Sequence, residues 1–402
     1  MGRSPSRKID AVVAGHICFD LIPTFPLSDV DYRELLIPGK LIKVSRLAIS
    51  TGGPVSNTGL AIKKLGMHVE LMGKIGTDFI GEAILERLKE EGLERSMTVV
   101  QGEESSYTVA IAPPGMDRMF LHNPGANNTF GMDDVDYNLV KTARLFHLGY
   151  PPLMEKMYRN DGCEMMEIFR TVKHGGTTTS LDMALPDPTS IAGKTDWKKI
   201  LVNVLPWVDL YLPSLEETQY MLDSAVFMDK KKKAGQHDML DQFTADELTA
   251  LSDKLLSHGP ALATLKSGFR GFYVRTAGKE RLDKIGFAKP GDLDNWSDRE
   301  LWSPSFHVDN FAGATGSGDS SIAGFLSAYL RGLSIERTLQ YATAVGANNV
   351  TAPDALSGIK DWDTTTQQID SGWKQNPLKI DTPGWHFNEE MRIWHGPNDK
   401  FN

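Results

Sequence analysis

Apolar and polar positions along the chain follow two alternating rhythms. Short apolar runs that end in glycine or a lone acid read as strands buried on both faces. Runs with apolar positions every three to four residues read as the helices between them. Asp10-Ala-Val-Val-Ala-Gly-His-Ile-Cys-Phe-Asp-Leu-Ile22 is the first predicted strand. Val69-Glu-Leu-Met72, Leu145-Phe-His-Leu-Gly-Tyr150, Thr178-Thr-Ser-Leu-Asp182, Trp207-Val-Asp-Leu-Tyr-Leu-Pro213 and Ala261-Leu-Ala-Thr-Leu-Lys266 follow it. The helices carry their own punctuation. Thr58 to Lys64 stops at Gly66, and Gly81 to Glu91 stops at Gly92. Ser214-Leu-Glu-Glu217 and Thr244-Ala-Asp-Glu247 are capping boxes, the second opening a helix that runs to His258. Lys40 to Ser50 and Tyr107 to Ala112 alternate with period two, and the latter turns at Pro113 to Asp117 and returns as Arg118 to His122. This alternation of β and α predicts a three-layer α/β/α domain with a mostly parallel sheet and a small second sheet from about 21–51 and 107–123.

Three stretches depart from the rhythm. Residues 223–243, with Lys230 to Lys233, read as a polar, low-complexity insertion and a solvated loop, and 276–304, with Trp296 and Trp302, as a further insertion. The expected domain is therefore 10–358, followed by an extension over 359–402. That extension carries Trp362, Trp373, Trp385 and Trp394 among polar residues, and such aromatics need a surface, on this domain or on a partner chain.

Composition narrows the function. At 402 residues, net charge -9 and pI near 5.6, the chain lacks the basic face that nucleic acid or an anionic membrane requires, and a small-molecule substrate is expected. Cys18 and Cys163 have no metal-like spacing and fit free thiols in a reducing cytoplasm. No secretion signal and no membrane-length apolar run is evident.

The candidate chemistry centres on Asp309-Asn-Phe-Ala-Gly-Ala-Thr-Gly-Ser-Gly-Asp319 and the apolar helix behind it. Gly313, Gly316 and Gly318 allow a turn that feeds a helix N-terminus, where free N–H groups and the positive dipole end suit phosphate. A carboxylate there repels phosphate, which suits Asp319 to a base aimed at an attacking hydroxyl. It equally suits a good first-turn helix residue, and the local sequence leaves both open. Asp20, expected where a strand gives way to a loop, reads either as a grip on sugar hydroxyls or as a turn former. The Gly268-Phe-Arg-Gly271 turn after Lys266 can show N–H groups and a point charge to phosphate, or is simply a hairpin turn.

Thr315-Gly-Ser-Gly-Asp319 with its small-residue helix resembles the C-terminal signature of the ribokinase (PfkB) family of carbohydrate and nucleoside kinases, and Gly52-Gly53-Pro-Val-Ser-Asn57 resembles its N-terminal one. The likeness runs from about residue 10 to about 358. It implies an ATP-dependent, Mg²⁺-using kinase that phosphorylates a primary hydroxyl of a sugar, sugar derivative or nucleoside. Asp319 would be the base, with the backbone of Gly316, Ser317 and Gly318 as anion hole. Asp20, Gly52, Gly53 and Asn57 would bind the acceptor, and Lys266, Gly268, Gly271 and Thr343 the nucleotide. Glu217 would act on Mg²⁺ through water. The small sheet would be a lid that covers the acceptor and could pair two subunits. Gly313 stands where the family has an Asp, so the likeness gives no support to monovalent-cation activation. Pro54 and Ser214 also depart from the family pattern. A non-catalytic sugar or nucleoside sensor is the alternative; it would be marked by loss of Asp319 or the glycines, and both are kept. A dinucleotide oxidoreductase lacks its G-x-G-x-x-G, and no Walker A motif fits.

Overall fold

A computed structural model describes residues 7–25, 37–113 and 119–402. In chain order the strands are β1 (Ile9–Gly15), β2 (Cys18–Pro23), β3 (Leu47–Gly52), β4 (Val69–Met72), β5 (Lys74–Gly76) and β6 (Thr98–Val100). They continue with β7 (Tyr107–Ile111), β8 (Met119–Asn123), β9 (Ala143–Gly149), β10 (Thr178–Leu181) and β11 (Leu210–Tyr211). The last are β12 (Leu262–Lys266), β13 (Phe272–Thr276), β14 (Glu300–Ser303), β15 (His386–Asn388) and β16 (Ile393–His395).

Among the described residues, ten strands form the main sheet in the order β15-β16-β14-β13-β12-β11-β10-β9-β1-β4. Pairing is parallel from β4 through β12 and antiparallel from β12 to β15. Both faces are covered, which is why its central strands are nearly continuous apolar runs. On β1, Val12 and Ala14 join a cluster with Met165, Phe169, Ile200 and Leu255 from the helices on one face. Ala11 and Val13 join Leu60, Ile84, Ile322 and Phe325 on the other. The expected three-layer architecture is therefore present.

The small second sheet has the order β3-β2-β7-β8. Asp10 to Ile22 is not one strand. β1 ends at Gly15, whose φ of 121° and close approach to the Gly149 carbonyl exclude a side chain, and the chain then crosses into the second sheet as β2. Asp20 thus lies inside a strand, not at a strand end. The alternation of Lys40 to Ser50 becomes strand only at β3, because β2 offers partners from Leu47 to Gly52 and no further. Leu41 and Val44 stay exposed. Parts of the expected lid, 26–36 and 114–118, lie outside the described residues.

Residues 223–243 are not a solvated loop. Asp223 accepts from the Val226 N–H and starts a helix, Ser224–Ala234, that buries Phe227. Lys230 is drawn inward to Glu247 at 2.7 Å over the Phe243 ring, while the remaining lysines of the run stay in water. Residues 276–304 supply β14 to the main sheet, with Trp296 and Trp302 buried. The helix expected from Thr58 starts at Pro54, since proline at the first helical position gives up no needed N–H.

The C-terminal extension lies on the domain and adds β15 and β16 to its sheet. Trp362 stacks on Tyr341 at 4.0 Å and Trp373 on Phe306 at 4.7 Å, while Trp385 packs among Tyr273 and Trp302. An ionic clasp closes it. Arg299, fully buried, donates to Asp399 at 2.9 Å and reaches Glu336 at 2.7 Å. Burial pushes the Asp399 carboxyl up, but His395, Arg299 and the N–H groups of Glu300 and Phe401 outweigh it and hold it below the usual range. Asp399→Ala leaves Arg299 paired to Glu336 but strips its Nε–H and the Glu300 N–H of their buried acceptor, so it should cost about 1–3 kcal/mol in urea denaturation at neutral pH. A depressed carboxylate stabilises above its unfolded pKa, about 3.9, and loses that as pH falls through the folded value, so the deficit should shrink below about pH 4.

Candidate active site

The turn before the Ser317–Leu330 helix is held by Gly316, which caps it at φ 71°. A Cβ there would lie 2.5 Å from that of Ala355, so both conformation and space demand glycine. The Ser317 N–H donates back to the Ala314 carbonyl at 3.2 Å. The N–H groups of Gly316 and Gly318 have no partner among the described residues, so two of the three expected donors are free to face an anion.

Asp319, in the first turn of this helix, is 2% exposed. Its Oδ2 accepts from Asn57 Nδ2 at 2.9 Å, and Thr58 Oγ1 lies 3.4 Å from Oδ1. Tyr150 Oη lies 2.9 and 3.0 Å from the two carboxylate oxygens. Asn57 and Thr58 arrive together because the Pro54–Lys64 helix packs along the Ser317–Leu330 helix. Burial raises the Asp319 pKa, while Asn57, Tyr150, Lys266 and Thr58 oppose the rise.

On one side of Asp319 is the small sheet. Its register sets Ser50, Asp20, Thr108 and His122 in one row across four strands, and Ile49, Leu21, Val109 and Leu121 in the next row on the opposite face. The polar row looks inward. Thr108 Oγ1 is 3.0 Å from His122 Nδ1, and His122 Nε2 is 3.3 Å from His16 Nε2. Cys18 Sγ donates to Asp20 Oδ1 at 3.3 Å. A Cβ on Gly52 would lie 2.3 Å from Asp20 Oδ2, and one on Gly53, whose φ is 80°, 2.5 Å from the His16 carbonyl. These two glycines make room for the acid and the imidazole.

On the other side is a cleft of about 620 Å³. Its walls combine the polar or charged Tyr150, Asp182, Glu217, Lys266 and Asp319 with the apolar Phe306, Val308, Ala347 and Val350. The buried Lys266 ammonium bonds to Asp182 and to the Leu212 carbonyl at 2.7 Å. Burial lowers its pKa, but Asp182, Glu217 and Asp319 more than offset this and leave it raised. Burial also raises Asp182 and Glu217. Glu217 Oε2 accepts from the Ser214 N–H at 2.6 Å, completing the capping box and leaving Oε1 for the cleft.

Apart from Gly316, which caps the helix and is not among the residues lining the cleft, the sequence-derived candidates fall into one connected place. Lys266, Gly268, Gly271, Thr343, Glu217, Ser317, Gly318 and Asp319 line the cleft. Asp20, Gly52, Gly53 and Asn57 lie under the small sheet, joined to the cleft through the Asn57–Asp319 contact. Gly313 approaches Pro353 and is not among the residues lining the cleft. The Thr343 hydroxyl donates within its own helix, to Leu339 and Gln340, so the cleft meets its carbon edge. His16, His122, Tyr150 and Asp182 were not singled out from sequence. Tyr150 and Asp182 sit just past the C-terminal ends of β9 and β10, where open α/β sheets gather ligands. That rule applied strand by strand would have found them. The two histidines depend on the register of the second sheet.

A family model described as pfkB family carbohydrate kinase matches residues 9–362. The chain is 22% identical over 375 residues to a nucleoside kinase of Methanothermobacter thermautotrophicus, covering 92% of this chain and 99% of that protein. It is 22% identical over 326 residues to a 2-dehydro-3-deoxygluconokinase of Bacillus subtilis, covering 80% of this chain and 87% of the relative. The fold is similar to that of Arabidopsis thaliana ribokinase complexed with ribose and ATP, with TM-score 0.66, 18% identity and coverage of 90% and 98%. With a family model spanning nearly its whole length and the ribokinase fold to match, this chain belongs to the pfkB family of carbohydrate kinases, the ribokinase-like sugar and nucleoside kinases.

Proposed function

We propose that the protein transfers the γ-phosphoryl of ATP to a primary hydroxyl of a sugar, sugar derivative or nucleoside, with Asp319 as the base. One observation carries this reading: a buried carboxylate at a glycine-capped helix N-terminus lines the cleft on one side and bonds on the other to Asn57, in the helix that follows the small sheet's Gly52. The donor set fits the nucleotide and its metal. The apolar wall suits a purine, while the free N–H groups of Gly316 and Gly318, the helix dipole and the Lys266 ammonium suit phosphates. Mg²⁺ bound with the nucleotide would neutralise charge on the phosphates. Glu217 and Asp182 are the carboxylates that would hold it through water.

In this reading Asp20, Asn57 and the pocket formed around Gly52 and Gly53 orient the acceptor so that one hydroxyl meets Asp319. As that oxygen bonds to the γ-phosphorus and the bond to the β-phosphate oxygen breaks, Asp319 takes the hydroxyl proton. The Gly316 and Gly318 N–H groups and Lys266 hold the negative charge on the moving group. The small sheet excludes water. The nucleoside kinase and ribokinase relatives support both acceptor classes. The outer face of the lid, with Ile49 and Leu121 61% and 58% exposed, supports pairing of two copies through this sheet.

Asp319→Asn keeps shape but cannot accept the proton. ADP release over a panel of sugars and nucleosides should show kcat reduced by about 10²–10⁴-fold with nucleotide affinity near normal. Wild-type turnover in that variant would place the base elsewhere. Because burial raises Asp319 and the base works deprotonated, kcat/KM for the acceptor should fall as pH drops through a pKa above the usual Asp value of about 3.9. An acid limb at or below that value would contradict the assignment. For the lid, light scattering should report a dimer that Leu121→Glu converts to monomers; a monomeric wild type ends the pairing proposal.

A further inference from the structure

A carboxylate offers about four lone-pair sites, and Asp319, 2% exposed, has three hydroxyl or amide donors packed around them. Asn57 donates to Oδ2, Thr58 faces Oδ1, and the Tyr150 hydroxyl lies within 3.0 Å of both oxygens. An acceptor hydroxyl that is to surrender its proton to this carboxylate must come within hydrogen-bond distance of an enclosed group whose two oxygens are bridged by the Tyr150 hydroxyl, so a partner must give way. Asn57 and Thr58 are 6% and 0% exposed and sit within a helix packed against that of Asp319, which leaves them no room to withdraw.

Tyr150 differs. It is partly exposed and stands beyond the end of β9, before Pro151-Pro152, with its side chain on the wall of the cleft. Its backbone has φ 61°, in the left-handed region that a bulky side chain rarely adopts. This conformation aims the ring at Asp319 from a chain terminus of the sheet, and nothing else in the fold requires a hydroxyl there.

Resting on the reading of Asp319 as base, we infer that Tyr150 is a placeholder for the acceptor: its hydroxyl occupies the acceptor-hydroxyl position on Asp319 in the free enzyme, and acceptor binding displaces it. The placeholder selects against water. With the Tyr150 hydroxyl bridging both oxygens of the enclosed carboxylate, it holds the position a water would need against the base while ATP is bound. With the hydroxyl removed, a water oxygen can bond to the γ-phosphorus as the bond to the β-phosphate oxygen breaks. Asp319 then takes one water proton, and ADP and inorganic phosphate leave.

Tyr150→Phe keeps the ring and deletes only the hydroxyl. With Mg²⁺–ATP alone and no acceptor, phosphate release by this variant should rise roughly tenfold over wild type, the scale of one hydrogen bond to a charged group. The rise should vanish in the Tyr150→Phe/Asp319→Asn double variant. No rise in a Tyr150→Phe protein whose Tm stays within a few degrees of wild type overturns the placeholder. A rise that persists in the double variant leaves Asp319 out of the hydrolysis, and it is then the base reading that fails. Mass spectrometry of wild type after incubation with Mg²⁺–ATP should find Tyr150 unmodified; phosphate on its oxygen would make it an acceptor instead and overturn the inference.

Discussion

The buried carboxylate of Asp319 is the constraint to which the rest of the site answers. Removing a carboxylate from water costs several kcal/mol unless donors replace the lost hydration. Here they come from three elements far apart in sequence: Asn57 and Thr58 on one helix, Tyr150 beyond β9, and Lys266 through space. Each is positioned by the main sheet and its helices. The donors moderate the rise that burial imposes on the carboxyl without cancelling it.

A second cluster of buried charge does different work. Lys266, Asp182 and Glu217 form a mixed group in which the ammonium is flanked by two acids. Lysine has three donors, and Asp182 and the Leu212 carbonyl take two of them. The third has no hydrogen-bond acceptor among the described residues, and Lys266 lines the cleft. The C-terminal extension contributes on the same side: Asn376, on the wall of the cleft, bonds to Ser305 and to the Phe306 carbonyl. Trp373 donates to the His307 carbonyl. The extension therefore braces the apolar wall of the cleft as well as the sheet edge.

The second sheet shows how register turns composition into a site. Four strands with unremarkable sequences align Ser50, Asp20, Thr108 and His122 in one inward row, and a one-residue slip in any strand would send its member outward. The His16–His122 contact at 3.3 Å depends on that register and on the sharp exit of the chain from β1 at Gly15.

Local chemistry was enough to read much of this protein from its sequence. Buried strands announced themselves as apolar runs, and helix ends as capping boxes and as glycines such as Gly66 and Gly92. Gly316 to Asp319 read as a glycine turn opening a helix, and that is the local structure it adopts. What stayed hidden depended on partners distant along the chain. Asp20 reads as a loop acid until β2 is seen paired on both sides, and the lysine run of 230–233 as a solvated loop until Glu247 and Phe243 draw Lys230 inward. Tyr150 and Asp182 become part of a site only when β9, β10 and β12 lie side by side and bring them to Asp319 and Lys266. Periodicity and turn chemistry are written in neighbouring residues, whereas a side-chain hydrogen bond such as that between Asn57 and Asp319, 262 residues apart, is set by tertiary packing alone.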